Sequence, residues 1–166
     1  DAMAGSTRWL EYFISLEGLI KILEFIVSLL GFILILNFDD WDIFSRYGFY
    51  IIVSGLCWTS LLIILFLHAF GLCASNVYGK WQREYSLFVF MLSYSLSFMF
   101  LFFFGSALLA QWAYDLADGF LIFSVILGFV LVVLFFIDSF IYYKRVRQIR
   151  VEEVSWKPKR AGTSYA

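Results

Sequence analysis

The chain has 166 residues, of which 63% are hydrophobic and 22% aromatic, with one proline and a formal net charge of -1. A water-soluble fold of this size would be covered in sticky apolar surface, so the composition excludes an ordinary soluble domain and points to lipid as the solvent. The bases are gathered at a few places and there is no net positive charge, which gives nucleic-acid binding no support.

A hydrocarbon core about 30 Å thick is crossed by about 20 apolar residues of helix. Four such runs occur, at 15–36, 49–72, 86–110 and 119–143. Backbone groups in lipid must bond within a helix or a closed barrel, and these runs lack the in-out alternation of barrel strands. The expected fold is therefore all-α, an integral membrane bundle of four antiparallel transmembrane helices, with short connectors that leave no room for a separate soluble domain.

Ahead of the first run, residues 1–14 form a short cytosolic segment. Asp1 is no initiator and Met3 opens a natural start, so the first two residues read as a cloning remnant, and no cleavable signal peptide is expected. Within the first run Glu17, Lys21, Glu24, Ser28 and Gly31 recur at spacings of four and three, which puts them on one helix face. A charge at the centre of a span costs about 2.5 to 3.5 kcal/mol on insertion scales, so this stripe must face protein.

The first connector carries Asp39, Asp40 and Asp42 against Arg46 alone, and Trp41 sits there at the depth where aromatic belts form. The second run holds Cys57 in its middle, His68 near its end and Cys73 at the exit. Neither cysteine can enter an outer disulfide framework, and both are expected to be free thiols. Cys73 is juxtamembrane, a position open to S-palmitoylation or to an idle thiol.

Lys80 and Arg83 lie in the second connector, beside Trp81. The third run places Ser93 and Ser97 one turn apart, with Gly105 and Ser106 further on, small residues of the kind that let helices approach. Its Phe102 to Phe104 read as lipid-facing side chains or core filler. The third connector has Asp115 and Asp118 and no base, with Trp112 at its edge.

In the fourth run Ser124, Gly128 and Asp138 share a face. Lys144, Arg145, Arg147, Arg150, Lys157, Lys159 and Arg160 follow it. Bases concentrate on the cytosolic side of spans, so both chain ends are assigned to the cytosol and the acidic first and third connectors to the other side. The basic stretch serves as a stop-transfer anchor, and Lys144, Arg145, Arg147 and Arg150 are also candidates for contact with anionic lipid, at about 1 kcal/mol per base near the surface. Residues 147–166 are expected to form a flexible basic tail, with Pro158 breaking any helix that continues from the bilayer.

Helices one and four run antiparallel, so the start of one meets the end of the other. Lys21 can then reach Asp138 while paired with Glu17 or Glu24, in a polar cluster that also takes in His68. Two readings stand: the cluster fixes helix register, or it relays protons or ions. No catalytic signature is present. There is one histidine, no Cys/His ligand spacing, no H-E-x-x-H, no G-x-S-x-G and no phosphate loop, so no enzyme, no cofactor and no metal centre is expected.

SLEGLIKILEFIVSLLGFILIL, with Glu17, Lys21 and Glu24, and LFFIDSFIYYKRV, with Asp138 and the Tyr142-Tyr143 exit, resemble the corresponding helices of MARVEL-domain proteins. That group of four-helix membrane proteins includes the MAL, chemokine-like-factor, physin and occludin types. The resemblance covers about Ser15 to Val146, and the two short outer loops without cysteine look more like the MAL and chemokine-like-factor branch. It implies a non-enzymatic role in membrane organisation, trafficking or the escort of other membrane proteins, through lateral contact with those partners or with copies of itself, at the plasma membrane or in secretory and endosomal vesicles. A small ion or proton channel or transporter using Glu24, His68 and Asp138 is the alternative.

Overall fold

Ser15 opens the first helix as a cap. Its backbone is extended, at φ -67° and ψ 154°, and its hydroxyl accepts from the Gly18 N–H at 3.2 Å, so one of the unpaired donors of the first turn is satisfied. Glu17 follows in that first turn, where the helix dipole favours an acid. The helix, α1, runs Leu16–Leu36 and closes on Asn37, whose backbone and side-chain N–H groups both donate to the Ile33 carbonyl.

The computed structural model describes residues 14–37, 46–69, 80–116 and 119–161. After α1 come α2 (Arg46–Ala69), α3 (Lys80–Leu116) and α4 (Gly119–Ala161). Each contains a stretch long and apolar enough to cross a membrane: Leu16–Leu36, Gly48–His68, Tyr85–Tyr114 and Gly119–Val151. The described chain is thus all-helical, with the four candidate spans of a multi-pass membrane protein.

The helices close into a ring in which α1 packs on α2 and α4, and α3 packs on α2 and α4. Diagonally opposed helices meet through long side chains such as Tyr50, which reaches Ser124, and Lys21, which faces Tyr94. Burial repeats at helical spacing on each element: Lys21, Glu24, Ser28, Gly31 and Ile35 on α1, and Tyr50, Val53, Cys57, Leu61 and Ile64 on α2. Phe102, Ser106, Leu109 and Ala113 do the same on α3, as do Leu121, Ser124, Leu131, Phe135 and Asp138 on α4. Aromatic stacking joins the last two helices, with Phe102 and Phe135 at 6.0 Å and 16° and Phe98 and Phe135 at 5.8 Å and 23°.

Several hydroxyls within the apolar stretches bond back into their own helices, whereas the buried Ser106 Oγ has no hydrogen-bond partner among the described residues. Ser54 donates to the Tyr50 carbonyl at 2.8 Å, Thr59 to Gly55 at 2.7 Å, and Ser139 to Phe135 at 2.7 Å. This answers their hydrogen-bond demand without water.

Helix and apolar run do not end together. The third and fourth helices outlast the runs at 86–110 and 119–143, and α4 continues to Ala161, into the 147–166 segment expected to be flexible and with Pro158 inside it; residues 162–166 lie outside the described residues. A helix already nucleated gains one hydrogen bond per added residue, and Glu, Lys, Arg and Gln are good helix formers, so the polar stretch simply extends it. Pro158 forfeits the N–H bond to the carbonyl four residues back, close to the helix end where few further bonds depend on it.

Candidate functional site

The polar face of α1 meets α4 at the end of the bundle where α1 starts and the apolar run of α4 draws to its close. Lys21 Nζ donates to Glu24 Oε2 at 2.9 Å, one turn on in its own helix, and to Asp138 Oδ2 at 2.7 Å on α4. All three side chains are fully buried. Ser95, from α3, donates its hydroxyl proton to the same Oδ2. Three helices therefore contribute to one carboxylate.

Aromatic rings surround the ammonium. Lys21 Nζ lies 5.4 Å from the Tyr94 ring centroid and 5.7 Å from those of Phe135 and Tyr142, so the desolvated cation is faced by three π systems as well as two carboxylates. Tyr94 is held in turn by a 2.7 Å hydrogen bond between its hydroxyl and Ser60 of α2. Glu24 Oε1 and Asp138 Oδ1 are buried with no hydrogen-bond partner among the described residues. One base thus serves two acids, each of which keeps one oxygen uncommitted.

Nearer the chain ends, Glu17 does not join this cluster. Its Oε1 pairs with Arg145 Nη2 at 2.6 Å, and the guanidinium also lies over the Phe88 ring at 6.0 Å. His68 is half-buried on α2, with Nδ1 donating to the Ile64 carbonyl at 2.9 Å. The structure thus brings together Lys21, Glu24 and Asp138, assigns Glu17 to Arg145, and has His68 bonded within its own helix. Of the basic residues after the last run, Arg150 donates to the Tyr85 hydroxyl at 3.3 Å and Lys144 Nζ lies 4.6 Å over Phe140. Cys57 is a buried free thiol, whereas Cys73 and the acidic first connector lie outside the described residues.

Sequence reasoning missed two members of the interior. Ser95 is buried on α3, as Ser106 is, while Ser93 and Ser97 face outward. The signal was available in phase: Ser95 stands 11 residues before Ser106, three full turns of helix. Tyr50 is the second. It is fully buried, donates to the Ser124 carbonyl of α4 at 3.0 Å, and packs edge-on to Phe102. Glycines of three helices make room for it, since a Cβ on Gly31, Gly105 or Gly128 would approach its side chain to 3.0, 3.6 or 3.0 Å. At Gly128 the same Cβ would also fall 2.0 Å from Ser106 Oγ.

Chemically, the cluster can clamp α1 to α3 and α4, and it can hold a proton on an uncommitted carboxylate oxygen. Among the described residues no three His, Cys, Asp or Glu side chains are grouped to bind a metal ion. No protein-family model matches the chain, and no curated protein matches it.

Proposed function

We propose that the chain is a non-catalytic, MARVEL-like membrane organiser or accessory protein that binds other membrane proteins, or further copies of itself, through its lipid-facing helix surfaces, with both ends in the cytosol. One observation carries the reading. The buried charges of the apolar stretches are turned inward onto one another, while the outward faces bear large apolar side chains such as Leu30, Ile63, Phe104 and Phe136. Segments 37–45, 70–79 and 117–118 are short, so apart from the two chain ends little surface remains for recognition in water. Recognition within the bilayer is what the surface favours.

Purification of the tagged chain in mild detergent, followed by mass spectrometry of what stays attached, tests this. A stoichiometric membrane partner is expected, lost when one lipid-facing helix surface receives bulky or polar substitutions that still permit insertion. Retention of the partner across substitutions on every face overturns the proposal.

A small ion or proton pathway through Glu24, His68 and Asp138 is the second reading, favoured by the uncommitted oxygens of Glu24 and Asp138. Fully buried Leu61, Phe102, Leu131 and Phe135 fill the interior beyond them and weigh against it. Liposomes containing the purified chain decide: flux no greater than in empty vesicles under proton, sodium and potassium gradients dismisses the pathway.

A further inference from the structure

The first four bases after the last apolar run, Lys144, Arg145, Arg147 and Arg150, are not equivalent in the fold. Arg145 and Arg150 are engaged with the bundle, one on Glu17 of α1 and the other on Tyr85 of α3. Lys144 and Arg147 stand three residues apart on the opposite, exposed side of α4. Among the described residues Arg147 has no partner, and Lys144 lies over the face of Phe140 without an acidic one.

That side of α4 continues toward the middle of the apolar stretch as a ridge of exposed Phe140, Phe136 and Val133, at helical spacing below the two bases. Among the described side chains, the acids at this end of the bundle are already committed, Asp138 and Glu24 to Lys21 and Glu17 to Arg145. An apolar ridge therefore ends in two cations that no described acid compensates, and the Phe140 contact holds the lysine ammonium at the ridge's end. An anionic phospholipid is the complementary molecule, with acyl chains to cover the ridge and a phosphate to meet both bases.

We propose that Lys144 and Arg147, with Val133, Phe136 and Phe140 beneath them, form a site for one anionic diacyl phospholipid on the outward face of α4. The site rests on the reading that α4 spans the bilayer and ends at the anionic leaflet. Arg145 and Arg150 act instead as latches between helices.

The full chain, purified in detergent and titrated with dioleoyl phosphatidylserine, provides the test, with bound lipid counted by native mass spectrometry. Phosphatidylserine is expected to bind in preference to dioleoyl phosphatidylcholine, about fivefold more weakly in Lys144→Gln and about thirtyfold more weakly in K144Q/R147Q. The R145Q/R150Q variant keeps the wild-type affinity within about twofold, the change expected of bases that do not meet the lipid. Undiminished binding by K144Q/R147Q, or an equal loss in R145Q/R150Q, overturns the assignment. Equally tight binding of glycerophosphoserine overturns the part given to the acyl chains. Protease protection of a C-terminal tag in sealed vesicles reports the topology separately: a protected tag would refute the cytosolic tail, whereas the detergent titration reads the lipid site whichever way the chain inserts.

Discussion

Glu17 meets Arg145 at 2.6 Å with the acid on α1 and the base on α4, the reverse of the polarity at Lys21 and Asp138. Two ion pairs of opposite sense along one helix interface define register more sharply than two of the same sense. If α1 slid by one turn, Glu17 would approach Asp138 and like charges would face each other at depth.

The inner pair carries more weight than the outer. Lys21→Met leaves Glu24 and Asp138 buried without their cation and is expected to cost about 3 to 5 kcal/mol, the range for breaking a buried pair from one side. Arg145 is half-exposed, and Arg145→Gln is expected to cost less than about 1 kcal/mol, with a salt dependence that Lys21→Met lacks. Unfolding in mixed micelles, followed by circular dichroism at low and high salt, measures both. Equal losses would contradict the ranking.

Ser95 provides a test of helix phase. Ser95→Ala removes a donor to a buried carboxylate and is expected to cost about 1.5 to 3 kcal/mol. Ser93→Ala and Ser97→Ala, on the outward side, should fall within about 0.5 kcal/mol of the parent. A larger loss at either flanking serine would place a different face of α3 against Asp138.

Much of this arrangement is legible in the residues, for physical reasons that also set the limit. The α1 stripe and Asp138 stand out because charge in a lipid-length run has to be answered by protein. Ser95 does not stand out, because α3 is apolar almost all round and its serines look alike without a known phase. Tyr50 is hidden for a related reason: among membrane helices the interior is no more hydrophobic than the exterior, so an aromatic residue does not announce which way it points. Helix ends are missed where hydropathy is used to find them, as on α4, since hydrogen bonding continues after the apolar side chains stop.

Gly128 is the tightest crossing. Gly128→Ala drives a methyl group onto Ser106 Oγ and toward Tyr50, and is expected to destabilise the bundle by about 1 to 3 kcal/mol. Removing the serine side chain opposite, in the double variant G128A/S106G, should return part of that loss. Thermal unfolding in detergent measures the coupling, and strict additivity of the two changes would show that the residues do not meet.

Tyr50 separates packing from hydrogen bonding. Tyr50→Phe forfeits the bond to the Ser124 carbonyl and is expected to cost about 1 kcal/mol. Tyr50→Ala empties the space among three glycines and should cost about 3 to 5 kcal/mol, the range for large buried aromatics. The same unfolding assay reads both, and similar losses in the two variants would make the hydroxyl the dominant element.

Lys21 and Asp138 are separated by 117 residues of chain. At synthesis rates of about 5 to 20 residues per second, Lys21 emerges about 6 to 23 s before the carboxylate that completes its charge pairing. Over that interval the nascent chain holds Lys21 at membrane depth with only Glu17 and Glu24 of its own helix to pair with, and any product cut short before α4 keeps it so. The interlock of α1 and α4 therefore ties the burial of Lys21 to the presence of α4: a chain lacking α4 leaves open an intramembrane charge that a chain containing it closes.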